Sequence, residues 1–185
     1  MKTVKKMYSE NGKTRVLVID DHQLFREGLS LLLASRPGIE VVGKSASGPD
    51  AIALAKETRP DILLLDLEPA PWRSGNPLAA VLDSLPDVRV IIMSSCSDER
   101  ILRNALEQGA FGVICKISAF TEVEAAIHHV SEGHRYLSPN LADLVFDLFA
   151  ENGADCVAER DGEREDERVA DRVTGAASDS SRKET

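Results

Sequence analysis

The sequence predicts an α/β fold, a parallel sheet with helices on both faces, followed by an appendage. Three observations carry this expectation. Short, almost continuously apolar runs recur five times, each followed by a segment of helical periodicity. Strands that read this way are buried on both faces, as in parallel sheets whose strands are joined by helical crossovers of right-handed sense. The composition is 43% hydrophobic but only 4% aromatic, so the core must be aliphatic. Finally, 185 residues suit one such domain plus an addition.

Each element has its own signal. RVLVID (15–20) reads as the first strand, with β-branched Val16, Val18 and Ile19. Leu24, Phe25, Gly28, Leu29, Leu32 and Leu33 then keep a helical stripe that stops at Pro37 and Gly38. IEVVGKS (39–45) is the second strand, and an Ala-rich helix over 50–58 is entered through Gly48 and Pro49. DILLLD (61–66) is the third strand; the short helix over 77–85 is ended by Pro86. VRVIIMS (88–94) is the fourth, before a helix holding Ile101, Leu102, Ala105 and Leu106 and closed by Gly109. GVICK (112–116) is the fifth, and Val123, Ala126, Ile127 and Val130 mark a helix ending near Gly133.

The domain therefore spans 15–133, after an N-terminal extension (1–14) expected to be flexible. In the segment 134–150, Ser138 can cap a helix and Pro139 suits its first turn. Leu141, Leu144, Val145, Leu148 and Phe149 give that helix one apolar stripe. The stripe could pack on the chain's own domain. A linker or dimerisation helix is preferred, because the five-stranded unit is complete without it. Residues 151–185 carry 11 acidic and 6 basic side chains and few apolar ones. They cannot bury enough surface to fold alone and are expected to be an acidic, disordered tail.

Composition also excludes. A net charge of −9 argues against non-specific nucleic-acid binding. The longest apolar runs have strand length, too short to span a membrane, and the basic N-terminus lacks the apolar stretch of a signal peptide. Cys96, Cys115 and Cys156 are an odd, unclustered set. They suit free thiols in a reducing cytoplasm better than disulfides.

In open parallel sheets, ligands bind beyond the carboxyl ends of the strands. The first strand ends in Asp20 and Asp21, the third in Asp66, the fourth in Ser94 and Ser95, the fifth in Lys116. Any one of these is an ordinary strand-terminating residue. One polar group on each of four strand ends is a constellation. Three carboxylates brought together repel unless a cation intervenes, and Mg²⁺ favours a few carboxylates with a carbonyl and waters, a demand that Asp20, Asp21 and Asp66 suit as metal ligands. Lys116 can balance phosphate oxygens, Ser94 can donate to one, and Asp66 is a suitable nucleophile for a phosphoryl group.

Motifs spread along the chain carry a resemblance. VLVIDDHQLFREGL, DILLLDL, VIIMSS and QGAFGVICK occur in order, and together they resemble the receiver domain of bacterial two-component response regulators. DDHQLFREGL and EGHRYLSP resemble its NarL/LuxR-type branch, and the likeness covers roughly 15–148. It implies a flavodoxin-like (CheY-like) fold of five strands in the order 2-1-3-4-5. It also implies that a sensor histidine kinase passes a phosphoryl group to Asp66, with Mg²⁺ as cofactor. Asp21 would then bind the ion directly, Asp20 mostly through water, and the Glu68 backbone carbonyl would add a ligand; Ser94 and Lys116 would contact the phosphoryl group. His22 would start the first helix without chemistry.

The chain departs from that family in three places. Pro69, Pro71 and Gly75 are displaced in the loop after Asp66, which also holds Trp72, either a partner contact or a ring folded over its own loop. Val113 replaces the switch aromatic three residues before the Lys, and Cys96 stands where the family tunes water access. No helix-turn-helix follows the receiver segment. DNA would be reached only through a domain not present here, and a homodimer is expected. The expectation is a phospho-accepting signalling domain rather than a turnover enzyme, with a pseudo-receiver that binds a ligand or protein constitutively as the alternative. A hydrolase ranks last, because Glu68 stands where a second Asp would act as general acid.

Overall fold

The computed structural model describes residues 12–46, 49–67, 77–95 and 99–141. Strands and helices alternate: β1 (Thr14–Ile19), α1 (Gln23–Ala34), β2 (Ile39–Ser45), α2 (Pro49–Thr58), β3 (Ile62–Asp66), α3 (Pro77–Ser84), β4 (Arg89–Ser94), α4 (Glu99–Glu107), β5 (Gly112–Cys115), α5 (Phe120–Ser131) and β6 (Tyr136–Leu137). All strands run parallel in the order β2-β1-β3-β4-β5-β6. Every residue of β3, β4 and β5 is buried, which is why those segments read as unbroken apolar runs. Val16, Val18, Ile62, Leu64, Ile91, Met93 and Ile114 meet Leu29 and Leu33 of α1 and Val123, Ile127 and Val130 of α5 in one core.

The sheet has six strands, not five. Tyr136 and Ser138 donate backbone N–H bonds to the carbonyls of Phe111 (3.0 Å) and Val113 (2.9 Å). This two-residue strand pairs the outer edge of β5, whose amide and carbonyl groups would otherwise lack partners. It extends the sheet beyond residue 133. Two residues have no period, so no apolar pattern announces them.

The segment after β6 also differs from expectation. Pro139–Leu141 form a single 3-10 turn against β5, and Leu141 is buried. Leu141 thus serves the domain's own packing, as the rejected alternative had it. Ser138 does not cap a helix: it is fully buried and its hydroxyl donates to the Glu122 carboxylate on α5. Leu144, Val145, Leu148 and Phe149, with the acidic tail, lie outside the described residues.

The stripe expected on α1 is only half buried in the core. Leu29 and Leu33 are covered, whereas Leu24 is 88% and Leu32 50% exposed. Leu24 belongs to the first turn of the helix, and Leu32 lies beside the equally exposed Leu31. Among the described residues no helix is long and apolar enough to cross a membrane.

Arg89, at the start of β4, closes the far end of α5. Its guanidinium is buried, donates to the carbonyls of Val130 (2.5 Å) and Ser131 (3.0 Å), and lies over the Phe111 ring. Burial pushes its pKa below the usual arginine value, with the Asp61 charge opposing that shift. A cation at helical carbonyls complements the helix dipole and satisfies acceptors that would otherwise be orphaned. Arg89→Met is expected to cost about 2 kcal/mol in urea unfolding, with the acid pocket at the opposite sheet edge undisturbed.

Candidate functional site

The strands deliver their polar ends to one edge. Asp20 follows β1, Asp66 closes β3, Ser94 closes β4 and Lys116 follows β5. The register sets their levels: Ile19 pairs with Leu65, Asp66 with Met93 and Ser94 with Cys115. Neighbouring strands β1, β3, β4 and β5 therefore present their polar residues side by side. The Lys116 amide donates to the Ser94 carbonyl (2.7 Å), which holds the lysine at the end of the ladder.

β1 ends in a tight local turn. Asp20 Oδ1 accepts the backbone N–H of His22 (2.7 Å), and its carbonyl accepts Arg26 Nη1 (2.5 Å). A short acidic side chain that bonds the backbone two residues ahead stops a strand and starts the next helix. The outcome is a fully buried Asp20 and an exposed Asp21.

Lys116 Nζ lies 2.5 Å from Asp66 Oδ2 and 3.0 Å from Asp20 Oδ2, and 5.5 Å from the centre of the Phe25 ring. Both carboxylate side chains are essentially inaccessible, at 0% and 1%, and the lysine is 12% exposed. With both acids ionised, two buried negative charges meet at the Lys116 ammonium. Such an arrangement is costly and calls for a further cation. Asp20 Oδ2 has no hydrogen bond, only the ammonium beside it. Buried carboxylate oxygens of this kind fit a hard divalent ion such as Mg²⁺.

The structure brings Asp20, Asp66 and Lys116 into contact and sets Ser94, buried, on the next strand end. Val113 sits lower in the sheet, fully buried. Glu68, Pro69, Pro71, Trp72, Gly75 and Cys96 lie outside the described residues. His22 stands at the start of α1 as expected, but its side chain reaches the acids. Its Nδ1 lies 3.2 Å from Asp20 Oδ1, 3.6 Å from Asp66 Oδ2 and 3.5 Å from Lys116 Nζ. Among the described residues, Asp20, His22 and Asp66 are the set whose ligand atoms lie within 4.8 Å of one another. The sequence signal for His22 was its place two residues after Asp20, where the turn folds the chain back.

Cys115 corrects the expectation of three free thiols, since it is disulfide-bonded at the buried end of β5. The remaining cysteines are Cys96 and Cys156, both outside the described residues.

A six-stranded parallel sheet with paired acids and a lysine at its carboxyl edge defines a receiver-type signalling domain. The response regulator receiver domain family matches residues 16–128, more than half of the chain. The chain belongs to that family, in its NarL/LuxR branch. It is 34% identical to the response regulator GacA of Pseudomonas aeruginosa over 128 residues, 69% of this chain and 60% of that protein. It is 32% identical to the transcriptional regulatory protein LiaR of Bacillus subtilis over 139 residues, 75% of this chain and 66% of that one. The chain thus spans about three fifths of the Pseudomonas relative's length. Among solved structures, a LuxR-family two-component response regulator from Aurantimonas sp. SI85-9A1 superposes with a TM-score of 0.68 at 30% identity, covering 75% of this chain and 99% of the other. The signal receiver domain of the putative response regulator NarL from Mycobacterium tuberculosis gives 0.58 at 36% identity, over 66% and 98%.

Proposed function

We propose that this receiver domain accepts a phosphoryl group on Asp66 from the phosphohistidine of a sensor histidine kinase, with Mg²⁺ bound by the acid pocket. The observation that carries this reading is the contact of Lys116 with two carboxylates buried at one sheet edge. Asp66 would attack phosphorus in line as the imidazole nitrogen of the kinase leaves, forming an acyl phosphate. Lys116, released from Asp66 by that bond, would turn to a phosphoryl oxygen, and Ser94 would donate to another. Asp20, Asp21, Asp66 and the Glu68 carbonyl would hold the Mg²⁺, which would neutralise charge on the transferring oxygens. Burial of Asp66 limits approach to donors that fit the edge.

The domain would act as a phospho-accepting switch rather than a turnover enzyme. Val113 bears on its output: a fully buried valine has no ring to swing between inner and outer positions. The signal would instead pass through the strand ends and their helices, to dimerisation or to a DNA-binding domain in a longer parent. The likeness to transcriptional regulators supports that destination. Retention of Asp20, Asp21, Asp66, Ser94 and Lys116 together disfavours a constitutive binding module.

The test is intact-protein mass after incubation with acetyl phosphate. One added phosphoryl group that requires Mg²⁺ is expected. No adduct with Mg²⁺ present would overturn the proposal and promote the constitutive module.

A further inference from the structure

We propose that Ser138 and Glu122 clasp the stretch 136–141 to the domain, and that phosphorylation of Asp66 loosens this clasp by moving Lys116 and the turn that follows it. The stretch through which the chain leaves the sheet would then be held or released according to the state of Asp66. This rests on Asp66 being the phosphoacceptor, and it gives that site an output.

The clasp is made of few bonds. Ser138 is fully buried, where a hydroxyl needs a partner. It donates to the carboxylate of Glu122, in the first turn of α5, and a hydrogen bond to an ionised acceptor is a strong one. The main chain adds the bonds of Tyr136 N–H to the Phe111 carbonyl and Ser138 N–H to the Val113 carbonyl, and the Leu141 N–H donates to the Ser138 carbonyl (2.9 Å). Burial raises the Tyr136 pKa and the Glu122 charge adds to that shift, so one carboxylate lies close to both Tyr136 and Ser138. A strand of two residues is the kind of element that opens locally, and losing one buried side-chain bond can decide whether it stays closed.

The clasp adjoins the lysine of the acid pocket. Ile117, Ser118 and Ala119 alone separate Lys116 from α5. The chain turns there, with Ser118 N–H donating to the Cys115 carbonyl (3.0 Å) and Glu122 N–H to the Ala119 carbonyl (2.9 Å). Ser118 Oγ lies 3.4 Å from Ser138 Oγ, so the turn touches the clasp directly. Ile117 is 81% exposed and does not anchor the turn in the core. In this structure the clasp is closed while Lys116 Nζ contacts Asp66 and Asp20. A phosphoryl group on Asp66 would draw the ammonium to an oxygen farther from the strand end, and the short turn would follow. Glu122 and Ser118 would shift against Ser138, whose amide is tied to β5. With valine at 113 this route needs no aromatic ring, only a segment with two arrangements.

Coupling of this kind is reciprocal: if a phosphoryl group weakens the clasp, removing the clasp must favour the phosphoryl-bound form. Hydrogen exchange by mass spectrometry on the full chain, with Mg²⁺ and with or without beryllofluoride as the phosphoryl mimic, reads one direction. Titration with beryllofluoride reads the other. In the wild type, the amides of Tyr136, Ser138 and Leu141 should exchange at least about tenfold faster with the mimic bound, while β1 keeps its protection. Ser138→Ala and Glu122→Ala should exchange fast there without the mimic, change little on adding it, and bind it about fivefold more tightly. Glu122→Gln keeps an acceptor for the hydroxyl and should resemble the wild type. Bound beryllofluoride with exchange at 136–141 unchanged or slowed would overturn the clasp while leaving the receiver reading intact. Faster exchange in the alanine variants with unaltered affinity for the mimic would also overturn it, by giving Ser138 and Glu122 a purely structural role. A wild type that takes neither the mimic nor a phosphoryl group would sink both readings.

Discussion

Lys116→Met is expected to destabilise the fold by about 3 kcal/mol at neutral pH in metal-free buffer, and to slow phosphorylation severely. The lysine is the cation in contact with two carboxylates that are 0% and 1% exposed. Methionine keeps most of the volume and removes the charge, leaving like charges facing each other in a site where water cannot screen them. His22 offers little compensation, because its side chain is largely in solvent. The loss should be partly reversed by Mg²⁺, which binds the folded pocket and stabilises it by mass action. Urea unfolding with and without Mg²⁺ reads both effects. A cost below about 1 kcal/mol, typical of exposed pairs, would mean that the carboxylates are not buried as the structure has them.

Asp66→Asn should move function and stability in opposite directions. It removes the attacking carboxylate, so the phosphoryl adduct disappears altogether. It also removes one of two negative charges that share Lys116, in a side chain of nearly the same shape. Metal-free stability should therefore rise by about 1 kcal/mol, the common sign when a strained functional site is neutralised. Added Mg²⁺ should stabilise the variant less than the wild type, since one of the ion's oxygens has lost its charge. A variant that is less stable than wild type without metal would contradict the charge arrangement proposed for the pocket.

Most of the site could be read before the structure because apolar strands end abruptly. A run such as Ile62 to Leu65 followed by Asp66 places a carboxylate at a strand end whatever the details of packing. The same holds for Ser94 after Ile91, Ile92 and Met93 and for Lys116 after Cys115. Bringing those ends together needed strand order, and there the likeness to a known family did what periodicity alone could not. What escaped was local. Tyr136 and Leu137 join the sheet through backbone bonds that any two residues could make. Leu24 and Leu32 have the right spacing for a core stripe, yet periodicity does not say which arc of a helix faces the sheet. His22 enters the pocket because of a side-chain-to-backbone turn at Asp20, and Cys115 is disulfide-bonded, which an odd, unclustered set of cysteines did not suggest.

The most direct measurement is the chemical position of the phosphoryl group. The chain would be phosphorylated with acetyl phosphate and Mg²⁺, reduced with borohydride to convert an aspartyl phosphate to homoserine, digested and sequenced by mass spectrometry. Homoserine at residue 66 and at no other aspartate is the predicted outcome. Homoserine at residue 20 or 21, or a phosphoryl group that survives borohydride on a serine or histidine, would contradict the account.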